Sequence, residues 1–163
     1  MPPRPLYRFV VNDPEHGELA AITHLSPDEL ERFGGLPGVA VLAREKSQAL
    51  SPGPENLEWN GAFLELLHRT VREVYPMLPE VLAARFGSEA TFLFVRATRP
   101  GRIGPSDRPE DVVGRFAISD GKMVPEQYEA HHGFLPISGD GAFILHPDVE
   151  RGMLERIAAT QQG

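Results

Sequence analysis

Residues 57–75 constrain the fold most. Trp59, Phe63, Leu66, Thr70 and Val74 recur at the three- and four-residue spacing of one helix face, and Leu67 and Val71 widen the stripe. Leu64, Val71 and Tyr75 carry apolar surface further around the cylinder. Pro76, which lacks an amide hydrogen and clashes with the preceding turn, stops the helix. A helix so broadly apolar must be covered by other elements. The rest of the chain therefore has to supply a surface for it, and what remains reads mainly as strands.

The clearest strand signal is Asp120-Gly121 between two β-prone runs, residues 115–119 and 122–124. An Asp-Gly pair tolerates the positive φ angles of a type I′ turn, so a hairpin is expected. Residues 6–11 and 18–23 read as strands joined by the turn 12–17. Residues 39–42 read as a short buried strand, and residues 90–97, rich in β-formers, as a central one. Residues 134–137 and 142–145 flank Ser138-Gly139-Asp140-Gly141, a second hairpin. Three further helices are marked at their starts. Ser26-Pro27-Asp28-Glu29 has the form of a capping box, with Leu25 and Leu30 at the staple positions and Gly34-Gly35 as the stop. Pro79 begins a helix through Phe86, and Pro147 opens the last one, with Val149, Met153 and Ile157 on one stripe. Residues 47–56 and 98–109 read as loops. Strands come in hairpins rather than alternating with helices. The expected class is α+β, a mainly antiparallel sheet with the long helix and the C-terminal helix packed on it, in one domain spanning 1–163.

The chain has no cysteine, which removes disulfides, thiolate metal sites and any cysteine nucleophile. Met1-Pro2-Pro3-Arg4-Pro5 runs directly into a strand-like segment, without the charged-then-apolar pattern of a secretory leader. No apolar run approaches the length of a membrane span. These features lead us to expect a soluble, cytoplasmic protein with no membrane partner. The net charge of −7 repels phosphate backbones, and Lys46 and Lys122 are the only lysines.

Reactive side chains concentrate near the C-terminus, where Tyr128-Glu129-Ala130-His131-His132-Gly133 is followed by His146-Pro147-Asp148. Imidazoles with carboxylates can bind zinc or act as general base and acid. Adjacent histidines on a strand, however, point to opposite faces, and no helical histidine pair of metal-binding spacing occurs. His146 before Pro147 equally suits a helix cap. The second cluster is Arg96, Arg99, Arg102, Arg108 and Arg115, set against Asp107, Glu110 and Asp111. Guanidinium forks suit phosphate or an acidic partner, and the ordinary alternative is a solvated edge paired with its own acids. Gly101-Arg102-Ile103-Gly104 has the form of a backbone-clamping G-x-x-G loop, but it follows a strand rather than joining two helices. No Walker loop, dinucleotide-binding glycine pattern or G-x-S-x-G elbow occurs, and no cofactor or metal is implied.

The leading expectation is a non-catalytic binding or assembly module that forms a homodimer through the second apolar flank of the long helix, Leu64, His68, Val71 and Tyr75, or through the adjoining edge of the sheet. A second is a small hydrolase or metal-dependent enzyme using His131 or His132 with His146. A third is a binder of an anionic ligand or nucleic acid through the arginine loop of residues 96–115, with Arg99 and Arg102 as its contacts. Nucleic acid is the least expected partner, because an acidic chain with two lysines lacks the basic stripe that supplies non-specific affinity. In a mobility-shift titration at physiological salt, binding to random-sequence duplex should be weaker than about micromolar; tighter binding would overturn this expectation.

Overall fold

Hairpins supply the sheets and helices fill the connections, giving an α+β fold with antiparallel pairing throughout. The computed structural model describes residues 4–13, 17–46, 54–101, 104 and 106–160. These form two compact units, Met1–Leu66 with Leu154–Gly163 and Leu67–Met153.

In the first unit, β1 (Tyr7–Asp13), β2 (Gly17–Thr23), β3 (Val41–Glu45) and β4 (Leu57–Trp59) lie in that order in one sheet. Ala20, Ala21, Leu25, Val41, Leu42, Ala43 and Leu57 are among its buried apolar residues. Helix α1 (Pro27–Phe33) starts with the capping box expected at Ser26 and Glu29, and ends at Gly34 in the left-handed conformation, φ 74°. Two buried polar groups are satisfied internally. Thr23 Oγ1 donates to the Ala40 carbonyl at 2.8 Å and accepts from the Leu25 amide. Glu45 receives both Nε and Nη2 of Arg8, at 2.7 and 2.9 Å. That hydrogen-bonding holds the Glu45 carboxyl below its ordinary range, against the opposing effect of burial.

The long helix begins later than the apolar periodicity suggests. Residues 57–59 pair with β3, Leu57 opposite Glu45 and Trp59 opposite Ala43, so they belong to a strand. Asn60 makes the switch. Its Oδ1 accepts the Ala62 amide, its carbonyl accepts the Leu64 amide, and its Nδ2 donates to the Gly38 and Val41 carbonyls, both at 2.8 Å. Helix α2 therefore runs Gly61–Val74, burying Phe63, Leu66, Leu67, Thr70 and Val71.

In the second unit, α3 (Pro79–Ala83) leads to β5 (Phe92–Arg96), β6 (Val112–Ser119) and β7 (Lys122–Ala130), in the order β5-β6-β7. The hairpin at Asp120-Gly121 has the expected form, with φ 52° and 75°. Two expectations are corrected. Helix α3 stops three residues before Phe86, whose amide donates to Gly121 in the β6–β7 turn. The strand within residues 90–97 is an edge, and β6 is central. On the inner face of this sheet the fully buried Phe116 stacks on Tyr75, 5.8 Å between ring centres and 9° between planes, and meets Tyr128 at 4.9 Å. Gly114 lies under the Tyr128 hydroxyl, and a Cβ there would also come within 2.7 Å of the Glu129 carbonyl oxygen, so only glycine fits.

The strands β8 (Ile137–Ser138) and β9 (Gly141–Ala142) and helix α4 (Pro147–Thr160) complete the chain. Arg99, only 2% exposed, ties the β8–β9 segment to the β5–β6 connection. Its Nε donates to Asp111 Oδ1 at 2.8 Å. Nη1 donates to the Pro136 and Gly141 carbonyls, and Nη2 to those of Glu110 and Leu135. All five guanidinium donors are thereby engaged. Replacing Arg99 by Met leaves the Asp111 carboxylate buried without its cation and four carbonyls without this donor. A loss of about 3–5 kcal/mol is expected in urea unfolding, with Arg99→Lys recovering little because an ammonium cannot span the same fork. A loss below about 1 kcal/mol would show that the network is not the staple its geometry describes.

Candidate functional site

Strand β5 runs Phe92-Leu93-Phe94-Val95-Arg96, with alternate side chains on opposite faces. Val95 is buried and Leu93 half-buried on the inner side. Phe92 and Phe94 are each 38% exposed on the outer side, their ring centres 6.3 Å apart. Cations frame the two rings. Arg115, opposite Phe94 on β6, places its guanidinium carbon 3.8 Å from the Phe92 ring centre and its Nη2 2.8 Å from Glu129. Arg96 lies 5.5 Å from the Phe94 ring centre and pairs with Asp107 at 3.1 Å.

Among the described residues, the backbone of β5 is satisfied on one side only. Thr91 accepts from Ile118, and the Ala97 amide donates to Asp111, so odd-numbered residues face β6. Thr98 bonds the other way, exchanging hydrogen bonds with Ile144 at 2.8 and 2.9 Å. By the alternation of an antiparallel ladder, the amides and carbonyls of Phe92, Phe94 and Arg96 point outward from the sheet.

His131 and His132 lie beside this face. They follow the last residue of β7 in a turn, and together with Phe94, Val112, Arg115 and Glu129 they line a groove of about 500 Å³. Because they are not on a strand, both can border one groove, contrary to the opposite-face expectation. His131 Nδ1 is 3.1 Å from the Val112 carbonyl, which only accepts, so Nδ1 carries a proton. His146 lines a different cavity of about 330 Å³, with Tyr75, Val95, Arg96, Thr98 and Val149. Its Nδ1 accepts the Asp148 amide at 3.1 Å and its Nε2 meets Glu80 at 2.6 Å. It is the cap of α4, with both ring nitrogens engaged. The histidines expected to share a site thus divide between two cavities.

The arginine cluster divides as well. Arg99, expected as a ligand contact, is the buried staple described above. Arg102 lies outside the described residues. Arg96 borders the His146 cavity, and Arg115 the His131 groove. Of the expected interface, Val71 is fully buried, Leu64 is half-buried, and Tyr75 is stacked on Phe116. His68 Nδ1 hydrogen-bonds the Tyr128 hydroxyl at 2.8 Å. Burial, with the nearby Arg72 and His132, lowers His68, and burial raises the Tyr128 and Tyr75 hydroxyls. The pair is therefore neutral near pH 7.

Among the described residues no three His, Asp or Glu side chains are placed to hold a metal ion, and no helix is long and apolar enough to cross a membrane. No family model, curated protein or solved structure matches the chain. The residues that sequence reasoning missed are Phe92 and Phe94. Their alternation with Leu93 and Val95 is visible in the sequence, but a run apolar on both faces reads as central.

One histidine outside these cavities titrates far from its usual range. Burial, joined by the charge of Arg4, lowers His24 to about 4 from 6.5. The folded state then binds this proton less readily than the unfolded chain. The stability due to neutral His24 is present above about pH 6.5 and declines as pH falls towards 4, by at most about 3 kcal/mol. His68 contributes in the same direction. Denaturant unfolding between pH 7 and 4 should show this loss, and His24→Gln should flatten the profile; an unchanged slope in the variant would remove His24 as its source.

Proposed function

We propose that the protein is a non-catalytic binding or assembly module that self-associates, and that β5 carries the association. The observation behind this reading is that β5 lacks the protection seen on the other edges. An open edge is a template for another strand, and proteins guard such edges with proline, charge or shortness. Strand β7, at the far side of the same sheet, carries Pro125 and exposed Lys122, Glu126 and Glu129. Strand β4 has three residues with an exposed Glu58 at their centre. Strand β1 sets Val10, its exposed large apolar side chain, between exposed Arg8 and Asn12. Strand β5 has no proline, one charge at its end and two exposed phenylalanines.

Aromatic side chains with arginine beside them are the composition enriched at interface centres. Here Asp107 and Glu129 offset the two arginines, so the face is an apolar patch with a neutralised rim rather than a basic field. That favours a protein surface over a phosphate backbone. An enzymatic reading through His146 would first have to break its two hydrogen bonds.

Sedimentation at micromolar protein is expected to show a dimer. Phe94→Lys places a desolvation cost at the centre of the edge without touching the buried core. It should weaken association at least ~10-fold, the loss typical of an interface centre, while far-UV circular dichroism stays unchanged. A monomer at every concentration rejects self-association. A dimer that survives Phe94→Lys but is lost in Leu64→Glu would move the interface to the helix flank.

A further inference from the structure

Resting on that reading, we infer that the partner is β5 of a second copy, paired antiparallel in the register that sets Phe94 opposite Phe94, so that two three-stranded sheets join into one of six strands. The register follows from what bounds the strand. A two-fold axis must pass through the centre of the pairing, because a closed dimer uses the same patch on both copies. At one end, Thr98 already exchanges both its hydrogen bonds with Ile144, so the ladder cannot extend past Ala97. At the other end, the Ala90 amide donates to Gly87 within a turn, so the ladder cannot extend back to Ala90. Three outward-facing residues remain: Phe92, Phe94 and Arg96.

Centring on Val95 would set Phe92 against Thr98, whose edge is occupied. Centring on Leu93 would set Arg96 against Ala90, whose amide is engaged. Centring on Phe94 pairs Phe92 with Arg96, Phe94 with itself and Arg96 with Phe92, and it uses every outward amide and carbonyl of the strand.

The side chains agree with this register. Phe92, Phe94 and Arg96 share the outer face, so the sequence Phe-x-Phe-x-Arg is self-complementary under the two-fold. Each Arg96 meets a Phe92 ring across the interface, and the two Phe94 rings meet on the axis. Cross-strand aromatic and cation–π pairs are favourable contacts of a β-ladder. Arg96 already sits against an aromatic face in its own chain, and Arg115 lies over Phe92, so the new guanidinium completes an arrangement half built in one copy. The two Arg96 side chains stand four residues apart along the strand, about 14 Å, far enough for their charges to be screened. On the inner face the same register sets Leu93 against Val95, one apolar side chain on another.

The absence of cysteine makes the register directly testable. Residues facing each other in a hydrogen-bonded antiparallel pair have Cα atoms about 5.5 Å apart, within the span of a disulfide. Phe94→Cys alone should form a disulfide-linked dimer under mild oxidation. Phe92→Cys alone and Arg96→Cys alone should not, since each lies about 14 Å from its own copy, but a mixture of the two should yield the mixed dimer. That mixture keeps Phe94 on both chains, so it tests the register even where Phe94→Cys weakens association. Cross-linking of Phe94→Cys or of the mixture at a rate at least ~10-fold above that of Phe92→Cys alone is the expected result, the proximity of facing cysteines setting the difference. If the wild-type protein sediments as a dimer but neither combination exceeds Phe92→Cys alone, the register is wrong and self-association stands. If the wild-type protein is monomeric at every concentration, both fail.

Discussion

The buried Arg99–Asp111 pair is the constraint on which the second unit depends. A guanidinium withdrawn from water is tolerable only when its charge is countered and all its donors are used. Here the carboxylate lies 2.8 Å away, and four main-chain carbonyls take the remaining donors. Those carbonyls belong to segments that carry little regular structure: the turn before β6, residues 135–136 and the first residue of the two-residue strand β9. Short strands of two residues have few ladder bonds of their own. One side chain therefore replaces a ladder for three stretches of irregular chain, and the Gly101 amide, 2.9 Å from the Asp140 carbonyl, closes the same junction.

This junction also shapes the edge of the sheet. Arg99 follows β5 by three residues, so anchoring it fixes where the strand ends. Thr98 is held against Ile144, and β5 is left with an open stretch from Phe92 to Arg96. The outer face of that stretch stays apolar, and the inner face is closed by Val95, Phe116 and Tyr75. An edge strand with one face committed to the core cannot bury its other face within the same layer. Its two phenylalanines stay half in water, framed by arginines that are themselves paired with acids.

Local signals were legible in the sequence wherever the cause is local. The capping box at Ser26 and Glu29, the left-handed stop at Gly34 and the turn at Asp120-Gly121 all arise within four or five residues, and each stands where its residues put it. The start of α2 is not legible locally, because Trp59 continues the helical spacing by coincidence while Leu57 and Trp59 find cross-strand partners in β3. The role of Arg99 is hidden for a related reason. Nothing in a row of five arginines distinguishes the one whose carboxylate partner and carbonyl acceptors arrive from residues 110–141.

By itself, the sequence determined the class of the fold: helices with sheets whose pairing is antiparallel, marked by local caps and turns. Those outcomes follow from turn chemistry and hydrophobic period, which act over a few residues. Only the tertiary structure decided which strand is an edge, which arginine is buried and which histidines border a common groove. Each of these depends on what a distant segment places alongside. A Phe-x-Phe pattern is the same string in a central strand and at a border, and it becomes a surface only when no neighbour takes the outward hydrogen bonds of Phe92, Phe94 and Arg96.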